Sequence, residues 1–287
     1  MSKPDAYQIV TDRILAMIDE GVAPWRKPWA TFAPRSMSTG KPYRGINLFL
    51  LDSGYWGTYK KVTEMGGQIR KGEKSSIAVF WKFIDGADAN GEPTKIPLLR
   101  YYNVFHEDQA DWPDGKPERF TADVLPGSDN ERIAAADAIV SGYKNADNAP
   151  RFDFEGWNHA CYIPAVDAIQ TPKIEQFISS AHYYSTLFHE CAHSTGHATR
   201  LNRPGVTDAA SFGSHKYARE ELVAEMTAAM LCGEVGLLDD TVEESAAYLK
   251  NWRDKIADDP RLIVKAAGEA QRAADHIKGV RWDDEDA

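Results

Sequence analysis

Residues His189-Glu190-Cys191-Ala192-His193 lie in a stretch whose apolar positions recur at helical spacing, and no other feature restricts the fold as much. Histidines four apart on a helix share one face, a turn apart, so two imidazoles can meet one tetrahedral ion. The chain must therefore supply a packed helix, an open cleft beside it and a third ligand from another element. Glu190 stands next to the first histidine, where its carboxylate reaches the space beside the metal, the placement a general base needs. Tyr184, Leu187, Phe188, Cys191 and Ala192 provide the packing surface. Gly196 is placed to end the helix in a left-handed conformation.

A third ligand is available in Arg219-Glu220-Glu221-Leu222-Val223-Ala224-Glu225, a strongly helical segment in which Glu221 and Glu225 share a face. Zinc peptidases with a glutamate ligand place, four residues later, an acid that orients a ligand histidine. On that pattern Glu221 is the ligand and Glu225 its supporting partner, with the reverse assignment as the alternative. His197 is a second alternative if Gly196 breaks the helix; on a straight helix it lies about 12 Å along the axis from His189. Glu220 reads as solvated. A His/His/Glu set suits zinc and also accepts other divalent ions such as manganese. Three protein ligands leave a fourth position for water, whose pKa the ion lowers toward neutrality.

The chain has 287 residues, 43% of them hydrophobic, enough for one large or two medium domains with a real core. Nothing at its start reads as a signal peptide, and no run approaches the roughly 18 apolar residues of a membrane helix. Three cysteines, Cys161, Cys191 and Cys232, form no disulfide framework. These features predict a cytoplasmic protein with no membrane association. The Gly/Asp/Pro-rich stretch between residues 107 and 130 divides the chain into units at 1–125 and 126–287, with helices expected over 131–143, 182–195, 217–231, 242–255 and 262–276.

Charge is distributed unevenly along the chain. Residues 21–82 hold eleven bases and three acids, so they carry +8 and the remainder −18 of the total −10. Trp25, Trp29, Tyr43, Trp56, Tyr59, Trp81, Tyr101 and Tyr102 accompany these bases. Rings that stack on bases, beside Lys and Arg that follow phosphates, are the equipment of single-strand binding. Candidate DNA contacts are Trp25, Arg26, Lys27, Trp29, Arg44, Lys60, Lys61, Arg70, Lys71 and Lys74. The alternative is that the rings form a small core and the bases its solvated face. Two tryptophans in the proline-bounded loop Pro24-Trp25-Arg26-Lys27-Pro28-Trp29 favour the first reading. Strands are expected over 77–84 and 98–105, joined by a long loop.

Several segments, taken in order, resemble the ArdC-type antirestriction proteins of conjugative plasmids and the related N-terminal parts of plasmid primases. They are Pro24 to Trp29, Tyr43-Arg44-Gly45-Ile46-Asn47, Gly66 to Lys74, Asn103 to Gln109, His189 to His197 with Arg200-Leu201-Asn202-Arg203, and Tyr217 to Glu225. Lys60-Lys61 and Ser194 depart from that pattern without touching the candidate ligands. The resemblance implies an α+β chain: a small α+β domain that binds single-stranded DNA, then a mainly helical zincin-like (gluzincin-type) metallopeptidase domain. It also implies protection of incoming plasmid DNA from host restriction during conjugation, with single-stranded DNA and host restriction enzymes as partners. The rival function is a general intracellular zinc metalloprotease whose N-terminal domain recruits protein substrates. A third is a non-catalytic binding protein whose metal only holds the fold.

Overall fold

The computed structural model describes residues 5–21, 23–26, 33–87, 92–120, 129–154, 158–207, 215–237 and 246–280. The chain opens with α1 (Ala6–Asp19), started by Asp5, whose side chain accepts the Tyr7 N–H. Val10, Ile14, Met17 and Ile18 recur at three and four spacing and are all buried. Gly21 ends the helix at φ +88°, a conformation open to glycine because it lacks Cβ.

The N-terminal half is built round a sheet of β1 (Arg35–Ser36), β2 (Tyr55–Gly57), β4 (Ser76–Ala87) and β5 (Pro93–His106), in the order β1-β2-β5-β4. A short pair, β3 (Gln68–Ile69) and β6 (Ala110–Asp111), lies apart from it. Strands β4 and β5 are longer than periodicity predicts. They pair antiparallel from Ser76↔Val104 out to Ala87↔Pro93, so the expected long loop shrinks and the strands project as a ribbon. Two helices flank the sheet, α2 (Asn47–Leu50) and α3 (Tyr59–Glu64), the latter capped by Thr58. The buried Asn47 side chain accepts the Val79 N–H and donates to the Val79 carbonyl, at 2.8 and 2.9 Å. It thereby satisfies backbone groups of β4 that no neighbouring strand reaches.

The C-terminal half is mainly helical: α4 (Asp129–Lys144), α5 (Ser180–Thr195), α6 (Pro204–Thr207), α7 (His215–Val235), α8 (Ala246–Asp258) and α9 (Leu262–Ile277). A small sheet of β7 (Arg151–Asp153), β8 (Cys161–Ile163) and β9 (Ala168–Gln170), ordered β7-β9-β8, lies beside α5. Helix α7 packs on both α5 and α9.

The two halves share one continuous core that runs from Ala6 to Ile277. Helix α1 packs on α8, and Thr11 donates to the Pro260 carbonyl at 2.8 Å. Arg44 pairs with Asp275, and the Gly45 N–H donates to Gln271 Oε1 at 3.0 Å. Among the described residues no helix is long and apolar enough to cross a membrane.

Pro24–Arg26 forms a 3₁₀ turn rather than the extended loop its prolines predict. Trp25 is only 2% exposed. It meets Trp252 edge to face at 5.9 Å and donates its indole N–H to Glu225 Oε2 at 2.9 Å. As a DNA-stacking candidate it is therefore corrected to a core residue, because the C-terminal half supplies both the apolar cover and the acceptor that an indole needs. The Arg26 side chain, Lys27 and Trp29 lie outside the described residues. Arg44, a second DNA candidate, is likewise engaged by Asp275 across the two halves.

Candidate metal centre

Helix α5 starts at Ser179, whose hydroxyl accepts the His182 N–H. Leu187, Phe188, Cys191 and Ala192 are buried on its inner face. This packing turns His189 and His193 toward α7, where Glu221 meets them. His189 Nε2 and His193 Nε2 stand 3.1 Å apart, and each lies 3.6 Å from a Glu221 carboxylate oxygen. Ligands held 2.0–2.1 Å from a tetrahedral ion sit about 3.4 Å from one another. The triangle has that size, and among the described residues it is the group of three donors that could hold a metal.

Electrostatics point the same way. Burial by itself would lower the His189 pKa. The hydrogen bond with Glu221 and the charges of Glu190, Glu221 and Glu225 outweigh it and raise it above the ordinary histidine value. Burial would raise Glu221, yet the two histidines hold its carboxyl below the usual range. The negative potential that attracts a proton here suits a divalent cation equally. Glu190 is 8% exposed; burial chiefly raises Tyr217 and Cys161, Glu221 adds to the first, and the charge of Glu190 reaches both. Cys191 packs in the core, its thiol pushed up by burial.

The support for the ligands differs from the expected one. Glu220 is not solvated: it is 6% exposed, and its Oε1 lies 3.2 Å from His193 Nδ1. Nδ1–H donating to Glu220 leaves the Nε2 lone pair facing His189 and Glu221. Arg203 holds Glu220 from the other side, donating from Nε at 2.9 Å and Nη2 at 2.6 Å. Its remaining donors reach Thr195 Oγ1 and the Ala192 carbonyl, both at 2.7 Å. Arg203 thus ties α7 to the backbone of α5. Glu225, expected to orient a ligand histidine, accepts from Trp25 and acts on His189 through charge. The reason is angular. Neighbouring helix residues diverge by about 100°, so Glu221 faces the triangle while Glu220 reaches round to the outer nitrogen of His193. Arg203, in the loop beyond α5, carries no spacing signal of its own.

His197, the rival ligand, lies beyond the end of α5, with Nδ1 2.9 Å from Thr199 Oγ1 and outside the donor triangle. Gly196 is not left-handed either: its φ is −75°. Glycine is needed there for close approach, since a Cβ would come within 2.5 Å of Val206 Cγ2.

The basic candidates of the N-terminal half are spread out. Lys60 and Lys61 lie on α3 beside Glu64, and Arg70 pairs with Glu73 and Asp111. Lys71 and Lys74 are exposed in the turn that precedes β4.

Comparison with known proteins agrees with both halves. Residues 4–105 match the N-terminal domain of anti-restriction factor ArdC, and residues 148–269 match a zincin-like metallopeptidase. An uncharacterized protein of Sinorhizobium fredii, y4eC, is 32% identical over 97% of this chain and 93% of its own length. A DNA primase TraC of Escherichia coli is 33% identical over 96% of this chain, but the chain spans only 27% of that protein's length. The crystal structure of the antirestriction ArdC protein from plasmid R388 in its metal-free form has 40% identity and a TM-score of 0.73, covering 97% of this chain and all of the other. Its Mn(II)-bound form matches with a TM-score of 0.72 over 96% of this chain and 98% of the other. The chain belongs to the ArdC antirestriction family, with an N-terminal ArdC domain joined to a zincin-like domain.

Proposed function

We propose that this protein is an antirestriction factor that binds single-stranded DNA, protects incoming plasmid DNA from host restriction during conjugation, and carries a metal-dependent peptidase site. It works in the cytoplasm of the cell that carries or receives the plasmid. The observation that carries this reading is the likeness to ArdC at 40% identity along nearly the whole chain, together with the intact donor triangle. We assign the first function to residues 1–125 and the second to residues 126–287.

His189, His193 and Glu221 would hold the metal, zinc or manganese, with Glu220 fixing the His193 tautomer. When bound, the ion supplies an electrophile for a peptide carbonyl and lowers the pKa of water. Glu190 accepts the proton of the attacking water and returns it to the leaving amine. Strand β8 borders α5 and, among the described residues, pairs within its sheet with β9 alone, so its outer edge can hold an extended peptide beside Glu190.

Two measurements test the parts separately. Glu190→Gln is expected to keep metal affinity and lower metal-dependent hydrolysis of an unfolded protein such as casein by about 10²–10⁴-fold. Equal hydrolysis by the two proteins would remove Glu190 from the chemistry. Fluorescence anisotropy of a labelled single strand should show affinity falling about 100-fold between 50 and 200 mM salt, for about five phosphate contacts. Absence of binding at low salt would reject the DNA half of the proposal and favour a metalloprotease whose N-terminal half recruits proteins.

A further inference from the structure

The β4–β5 ribbon changes character along its length. At its root Ala78, Val79, Leu99 and Val104 are buried. Beyond them Phe80, Trp81 and Phe83 are 45%, 43% and 51% exposed. Alternation puts Phe80, Lys82 and Ile84 of β4 on one face. Across the ladder, Arg100 stands opposite Phe80 and Leu98 opposite Lys82. Tyr102 of β5 shares this face, and its ring lies 5.7 Å from that of Phe80. Trp81 and Phe83 point to the opposite face, where Trp81 meets Tyr7 of α1 at 6.2 Å. On the first face the exposed Phe80 ring extends the half-buried Tyr102 ring into solvent, an apolar surface open to a partner.

Charge selects the partner. Lys82 and Arg100 flank the rings, and neither enters an ion pair among the described residues, unlike Lys95, which pairs with Asp85 nearer the tip. Lys82 is the last base of the +8 segment, residues 21–82, and Arg100 lies beyond it, facing Phe80 across the ladder. A polyanion is thus steered toward residues 21–82, which include Phe80 and Lys82, rather than toward the acidic remainder. Trp25, a stacking candidate read from the sequence, is buried in the core, whereas the Phe80 ring is open to a base.

We propose that single-stranded DNA docks on the Phe80–Lys82–Arg100 face of the β4–β5 ribbon, with bases stacked on Phe80 and its neighbouring ring and phosphates on Lys82 and Arg100. This inference rests on the DNA-binding reading above and locates its surface. Binding of a labelled oligonucleotide to the full chain tests it. Phe80→Ala is expected to weaken affinity about 5- to 100-fold, the range for loss of one base–ring stack. The pair Lys82→Glu and Arg100→Glu, which spares every buried side chain, should weaken it further and flatten the salt slope by about 0.7 for each phosphate no longer neutralised. Ile178→Ala, in the C-terminal half and 79% exposed, should bind as wild type. Circular dichroism of each variant establishes that the fold is retained. If the wild type binds and both ribbon variants bind equally well, the ribbon is not the surface although the DNA reading stands. If the wild type itself fails to bind, both fall.

Discussion

Replacing Glu220 with alanine is expected to lower zinc affinity about 10- to 100-fold, the usual cost of losing a partner that orients a ligand histidine. The loss has two sources. His193 Nδ1 loses the acceptor 3.2 Å away that sets its tautomer, so its Nε2 is no longer held as a lone-pair donor. Arg203, 5% exposed, loses the carboxylate that receives both Nε and Nη2. An uncompensated buried charge costs about 3–5 kcal/mol, so the metal-free variant should also melt lower. Glu225→Ala removes the Trp25 bond and should leave zinc affinity much closer to wild type. Competition with a chromophoric chelator measures affinity, and thermal melts of the metal-free proteins measure the structural part. Wild-type affinity in Glu220→Ala with a large loss in Glu225→Ala would restore the assignment made from sequence spacing.

Arg200→Ala should produce a large loss of stability. The Arg200 side chain is fully buried and pairs with Asp167. It donates to the carbonyls of Ser194 and Asn148, both at 2.7 Å, and to the Tyr162 hydroxyl at 3.3 Å. It therefore anchors the C-terminal end of the metal helix α5 to the turn after α4 and to the small sheet. Its removal takes a charged donor from the Ser194 and Asn148 carbonyls and the counter-charge from Asp167, which retains the Tyr162 hydroxyl, at a cost of about 3–5 kcal/mol and a fall in melting temperature of about 10 °C. The effect depends on pH. Burial alone would raise Asp167, but the hydrogen bonds of Arg200 and Tyr162 outweigh it and hold its carboxyl below the usual range. A depressed carboxylate stabilises the fold above its unfolded pKa and loses that contribution as pH falls toward the folded value. The gap between wild type and Arg200→Ala should accordingly narrow as pH falls below about 4. A gap that stays constant across that range would show that the pair with Asp167 contributes nothing.

Helix positions are readable because amphipathic spacing is local. Tyr184, Leu187, Phe188 and Cys191 mark α5, and Val10, Ile14 and Met17 mark α1. The ends of β4 and β5 are not, since an exposed two-stranded ribbon has no buried face to impose alternation. Gly21 ends its helix at positive φ, whereas Gly196 is required by the approach of Val206 from α6, a contact that spacing along α5 does not encode.

The sequence by itself determined that two histidines share a helical face, that Glu190 lies beside them and that Glu221 sits on a second helix. Each is a consequence of helical period. Only the tertiary structure decided the rest. Glu220 became the partner of His193 because α7 packs on α5 with that residue buried against His193, and Arg203 compensates its charge. Trp25 became a core residue because Trp252 and Glu225, at least 200 positions away, supply its cover and its acceptor. Burial and hydrogen bonding between distant segments are set by packing, and packing has no period along the chain.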